Sequence, residues 1–134
     1  MPELIHHLDH FVLTTSDAVR CVDFYTRVLG MTLEHFGTDR IALKFGEQKI
    51  NVHEPGRLFR PRADVPTPGS LDLCFISAIP LDAVILHLKE SGAIIEEGPV
   101  PRTGAMSSLR SIYLRDPDGN LIEISERTEE EATD

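Results

Sequence analysis

Along Leu8–Thr15, "LDHFVLTT", strand-forming residues alternate so that Phe11 and Leu13 point one way and His10 and Val12 the other, which predicts a strand. The period then changes. In "SDAVRCVDFYTRVLG" the apolar positions Val19, Val22, Tyr25, Val28 and Leu29 recur at helical spacing, Ser16 or Asp17 is placed to cap the start, and Gly30 stops the helix. Three short strands are predicted around "MTLEHF", "RIALKF" and "KINVHE", separated by Gly37 to Asp39 and by "GEQ". From Glu54 to Gly69, Pro55, Pro61, Pro66 and Pro68 break any regular element, so this stretch reads as a connector. Beyond it, "LDLCFISA" reads as a strand, "PLDAVILHLKESG" as a helix, and "AIIEEGPVP", "RSIYLR" and "NLIEISE" as strands, with "RTEEEATD" a frayed acidic tail.

The order strand, helix, three strands is therefore written twice. A shift of 62 carries His10 onto Asp72, Val12 onto Cys74, Phe24 onto Leu86 and Gly30 onto Gly92, and a shift of 72 carries Asn51 onto Glu123. Two βαβββ modules, at about 6–56 and 69–127, are implied within a single α+β domain spanning 1–134, because neither module alone buries both its sheet face and its helix stripe. The helices should cover the face carrying Phe11, Leu13, Leu71, Leu73, Phe75, Ile50, Val52, Ile122 and Ile124. Period two then sends His10, Asn51, His53, Asp72 and Glu123 to the opposite face.

Composition narrows the partners. With 134 residues, 41% hydrophobic and 26% charged, the chain reads as a globular protein, and its formal net charge of -9 argues against nucleic acid or an anionic membrane as main partner. No apolar run approaches the roughly 20 residues that span a bilayer, and "MPELIHHLDHF" lacks a basic segment followed by an apolar one, so a cytoplasmic location is expected. Cys21 and Cys74, without CxxC spacing, are expected as two buried thiols in a reducing compartment.

The polar face carries the candidate chemistry. Like charges crowded in a cleft need a compensating cation or proton, and an imidazole with two carboxylates, His10 with Asp72 and Glu123, suits a divalent ion such as Zn, Mn, Fe, Ni or, less readily, Mg. His53 titrates near neutrality and suits proton relay, anion binding or completion of a metal shell. Arg57, Arg60 and Arg62 in the connector, and Arg102, Arg110 and Arg115 around the last sheet segment, can each bind a carboxylate or phosphate. "DPDGN", 116–120, lacks the ligand series of an EF-hand and is read as a β-turn that returns the chain so that Glu123 enters the site.

Three stretches, "LDHFVLTTSDAVRCVDFYTRVLGM", "GSLDLCF" and "YLRDPDGNLIEI", resemble in order the first strand and helix, the fifth strand and the terminal hairpin of the vicinal oxygen chelate superfamily. That superfamily includes glyoxalase I, extradiol dioxygenases, fosfomycin-resistance proteins and bleomycin-resistance proteins. The resemblance implies paired βαβββ modules forming a cupped, strongly curved mixed sheet with helices on its outer face, often in a homodimer. It also implies His10, Asp72 and Glu123 as metal ligands, with Asp72 standing where many of these enzymes have His. An extradiol dioxygenase site would need a second imidazole, which only His53 moving into the shell would supply, and Asn51 stands where glyoxalase I has a carboxylate, for which an amide is no comparable proton acceptor. Ser111 and Tyr113 match positions that contact a phosphonate in fosfomycin-resistance members.

These expectations combine into a divalent-metal-dependent enzyme acting on a small oxygenated or anionic substrate, of lyase or isomerase type. Glu123 and His53 would move protons, and Asn51, Arg110, Ser111, Tyr113 and Arg115 would hold the substrate. The alternatives are a metal-free small-molecule or drug-binding resistance protein, an extradiol dioxygenase-like enzyme, and a purely structural partner-binding domain.

Overall fold

The structure, a computed structural model, describes residues 1–57 and 59–128. Residues 129–134 of the expected acidic tail lie outside the described residues. The chain divides into two compact units, Met1–Pro68 and Gly69 onward. The first contains β1 (His10–Thr14), α1 (Ala18–Asp23), β2 (Thr32–Phe36), β3 (Arg40–Phe45) and β4 (Gln48–His53). The second contains β5 (Asp72–Ile76), α2 (Leu81–Glu90), β6 (Glu97–Thr103), β7 (Ser108–Arg115) and β8 (Leu121–Arg127).

Each unit builds its own four-stranded mixed sheet, ordered β1-β4-β3-β2 and β5-β8-β7-β6. This corrects the expected single cupped and strongly curved sheet. Every ladder joins strands of the same module: β1 runs parallel to β4 and β5 parallel to β8, while the remaining pairs are antiparallel. Among the described residues the ladders therefore define two sheets, each within one module.

The repeat extends to the register. Val12 pairs with Asn51 in the first unit and Cys74 with Glu123 in the second, the same two positions under the shifts of 62 and 72. The strand ends match as well: the Thr15 amide donates to the His53 carbonyl, and the Ser77 amide to the Ser125 carbonyl, both at 2.8 Å.

In the first unit the Asp17 carboxylate caps α1 by accepting from the Arg20 amide at 3.1 Å, relieving one of the unpaired N–H groups of the first turn. After Asp23 the helix widens into a π turn, Phe24–Val28, in which the Leu29 amide reaches back to the Phe24 carbonyl at 3.1 Å. Gly30 then takes φ +77°, a conformation open to glycine at little cost, and ends the helix. The stripe Cys21, Phe24, Tyr25 and Val28 is buried, as are Leu13, Leu43, Ile50 and Val52 on the apolar face of the sheet.

In the second unit the core is Leu81 and Leu88 of α2 with Ile112, Leu114, Ile122 and Ile124. α2 begins after Pro80, which has no side chain able to cap it, and Glu126 from β8 supplies the missing acceptor, taking a hydrogen bond from the Leu81 amide at 3.0 Å. Arg110 clasps this corner, donating to Glu126 at 3.1 Å and to Asp82 at 3.0 Å. The "DPDGN" turn forms as expected. Buried Asp116 accepts from the amides of Asp118 and Asn120 and from the Asn120 side chain, while Asn120 accepts from the Leu71 amide at 2.8 Å.

Candidate functional site

On the first sheet, alternation places His10, Val12 and Thr14 of β1 on one face with Lys49, Asn51 and His53 of β4, as expected. β3 adds Arg40, Ala42 and Lys44, and β2 adds Glu34 and Phe36, with Ala42 paired to Asn51 and Phe36 to Arg40. This face is not open to solvent at its centre. Ala42 is fully buried and Asn51 is 5% exposed.

The connector supplies Phe59, whose ring lies 4.9 Å from that of His53. The Arg40 guanidinium lies over two rings, 4.7 Å from the centre of Phe36 and 5.0 Å from that of Phe59, and the Lys49 ammonium sits 3.9 Å above Phe36. Three buried atoms of this face have no hydrogen-bond partner: Arg40 Nε, Asn51 Oδ1 and His53 Nε2. Burial, reinforced by the Arg40 charge, lowers the His53 pKa, so the imidazole is neutral at pH 7.

Asn51 and His53 are thus on one face, as the alternation required. Arg40, Phe36 and Phe59 were not singled out from sequence. The alternation Arg40, Ala42, Lys44 carried a usable signal for Arg40; Phe59 lies in the irregular connector and carried none.

His10, the third polar residue foreseen on this sheet, is exposed at the edge, and its Nδ1 lies 2.8 Å from Asp9 Oδ2.

On the second sheet, Asp72 and Cys74 of β5 share a face with Glu123 and Ser125 of β8, and β7 adds Ser111, Tyr113 and Arg115. Fully buried Ser111 and Ser125 are 2.6 Å apart through their hydroxyls, and Ser125 donates to Glu123 at 3.2 Å. Cys74 Sγ lies 3.3 Å from the same Ser125 hydroxyl. Cys74 is exposed rather than buried, because β5 is an edge strand of its sheet; Cys21 is buried as expected. Tyr113 accepts from Arg102 Nε at 2.8 Å, yet desolvation together with the Glu123 charge still raises its pKa. Of the arginines expected to hold substrate, Arg115 pairs with Glu96 at 3.1 Å, and Arg110 points to the α2 side, where its clasp engages it.

Of the three expected metal ligands, His10 belongs to the first unit, and Asp72 and Glu123 to the second, where Asp72 stands exposed at the edge. Among the described residues no group of three or more His, Cys, Asp or Glu side chains is gathered so as to hold an ion. Among the described residues the buried side-chain polar atoms without a partner are Arg40 Nε, Asn51 Oδ1 and His53 Nε2 on the first sheet and Ser77 Oγ in the second unit.

Residues 7–124 match the Glyoxalase/Bleomycin resistance protein/Dioxygenase superfamily. The chain belongs to that superfamily. Within it, the chain is 51% identical to the virulence protein STM3117 of Salmonella typhimurium over 123 residues, 92% of this chain and 85% of that protein. It is 52% identical to the glyoxalase domain-containing protein RDO1 of Mycosarcoma maydis over 121 residues, covering 90% of this chain and 68% of that one. Among solved structures, an integron cassette protein from the mobile metagenome of V. cholerae superimposes with a TM-score of 0.92 at 49% identity, over 96% of this chain and all of the other. Among the described residues no helix is long and apolar enough to cross a membrane.

Proposed function

We propose that the chain is a small-molecule-binding member of the glyoxalase/bleomycin resistance/dioxygenase superfamily that holds its ligand without a metal ion. One observation carries this reading: Arg40 Nε, Asn51 Oδ1 and His53 Nε2 are buried together without partners on one sheet face. Buried polar atoms in native proteins nearly always find a partner, and leaving one without costs roughly 1–3 kcal/mol. Three such atoms beside two aromatic rings form a surface whose missing partners a ligand supplies. The superfamily's range, from enzymes to bleomycin resistance proteins, accommodates binding without turnover.

The competing reading is a metal-dependent lyase or isomerase centred on His10, Asp72 and Glu123, with His53 or Glu123 moving a proton. A single screen separates the two. Small oxygenated acids are tested by ligand-observed NMR against the protein, first with chelator and then with Zn, Ni, Mn or Fe(II), in wild type, Asn51→Leu and Glu123→Gln. Binding that survives chelation and weakens in Asn51→Leu supports the proposal. Binding that appears only with added ion and is lost in Glu123→Gln overturns it.

A further inference from the structure

The unpartnered groups also specify a ligand chemistry, and this step rests on the binding reading above. Among the described arginines, Arg27, Arg57, Arg102, Arg110 and Arg115 each have a carboxylate partner within 3.7 Å. Among the described residues no carboxylate pairs with Arg40, nor with Arg20, Arg60, Arg62 or Arg127, and of these five only Arg40 has its Nε buried without a partner. Its guanidinium lies over Phe36 and Phe59, and its buried Nε donor is unanswered. Lys49, over Phe36, adds a second cation to the same face.

A buried donor on a fixed cation next to a second cation selects an anion, and a planar carboxylate matches the guanidinium fork. Asn51 Oδ1 asks for the opposite: as an acceptor it needs a hydroxyl or N–H. The Phe36, Phe59 and His53 rings between and around these groups favour a flat, polarisable body, since rings stack edge or face against one another. Ala42 pairs with Asn51, so Arg40, two residues earlier on β3, lies diagonally across from Asn51 at about 7–8 Å, a span that a single six-membered ring with a substituent at each end bridges.

We infer that the first-unit face built from Phe36, Arg40, Asn51, His53 and Phe59 binds a hydroxylated aromatic carboxylate, its carboxylate on Arg40 and its hydroxyl donating to Asn51.

The probes are 3- and 4-hydroxybenzoate, benzoate, phenol and cyclohexanecarboxylate, titrated into the 15N-labelled full chain with chelator present. The better hydroxybenzoate binds more tightly than benzoate, and phenol and cyclohexanecarboxylate bind more weakly than either. Arg40→Gln weakens hydroxybenzoate at least about tenfold, the usual consequence of removing one member of a desolvated charge pair. In Asn51→Leu the preference of hydroxybenzoate over benzoate falls to about one, because only the hydroxyl contact is lost. Arg40→Lys, which keeps the charge but not the fork, weakens binding by an intermediate factor; it serves as the test if Arg40→Gln loses the dispersed amide spectrum of a folded chain.

Equal binding of cyclohexanecarboxylate and hydroxybenzoate, with shifts at Asn51 and His53, overturns the aromatic carboxylate while leaving the binding reading intact. Unchanged hydroxybenzoate affinity in the Arg40 variants overturns the anion assignment. If none of these probes, and none of the acids in the wider screen, moves the Asn51 and His53 resonances, both readings fail together.

Discussion

Replacing Asn51 by leucine should make the ligand-free protein more stable. Asn51 is 5% exposed on β4, and its side-chain oxygen has no partner. A buried acceptor left in that state carries a desolvation penalty of about 1–3 kcal/mol, and an apolar side chain of similar volume removes it. Some of the gain is lost to repacking around Ala42 and Val12, the residues paired with position 51, so a net stabilisation of about 1–2 kcal/mol is expected. For a chain of this length that raises Tm by about 3–8 °C. Differential scanning calorimetry without ligand, with guanidinium unfolding to fix the free-energy change, measures it. Affinity for the hydroxybenzoate probe should fall in the same variant, the exchange of activity for stability found where a site stores an unsatisfied group. A variant 1 kcal/mol or more less stable than wild type would show that the Asn51 amide works in the folded framework and is not waiting for a ligand, and the reasoning would fail.

Three other outcomes follow from the same structure. His53 has a lowered pKa in the fold, so the unfolded chain binds the proton first as pH falls. Its contribution is intact above about pH 6.5 and is lost as pH drops from there toward the folded pKa. His53→Gln should flatten that part of the stability profile in urea titrations from pH 8 to 5, and an unchanged profile would contradict it. Asp116→Ala strips three hydrogen bonds from a buried turn and leaves the Asn120 amide groups unpaired; a loss of about 3–5 kcal/mol, or about 9–20 °C in Tm, is expected by thermal unfolding. Gly98 has φ +108°, and a Cβ there would strike the Ser111 carbonyl and come within 2.9 Å of Ile112 Cα. Gly98→Ala should therefore cost about 2–4 kcal/mol by denaturant unfolding, and a neutral result would mean the backbone yields.

Much of the architecture was readable because it rests on local periods. "RIALKF" coincides with β3, Asp17 caps α1, and Gly30 and Gly92 both take positive φ at the helix ends. The shifts of 62 and 72 even carry the Val12 to Asn51 pairing onto Cys74 and Glu123, since one hydrophobic pattern written twice enforces one register. What escaped depends on contacts between distant residues. The strand pattern does not say whether two modules share hydrogen bonds, so the single curled sheet was overdrawn. The π turn at Phe24–Val28 keeps helical apolar spacing and leaves no mark in the pattern. Asn51 and His53 were placed on the polar face, but period two cannot tell a polar residue facing water from one buried without a partner. Phe59 reaches His53 from a connector whose prolines erase any period. Arg110 and Arg115 looked available until Asp82, Glu126 and Glu96 were brought beside them by the fold.

The central claim, that the Arg40, Asn51 and His53 face holds a ligand without a metal, is tested most directly by the Asn51 side-chain amide signal. It is followed in 15N-labelled protein while hydroxybenzoate is added in excess chelator. The account predicts a saturable shift of that signal and of the His53 ring resonances, identical with and without chelator. A signal that stays in place at saturating acid, or that moves only once a divalent ion is restored, would contradict it.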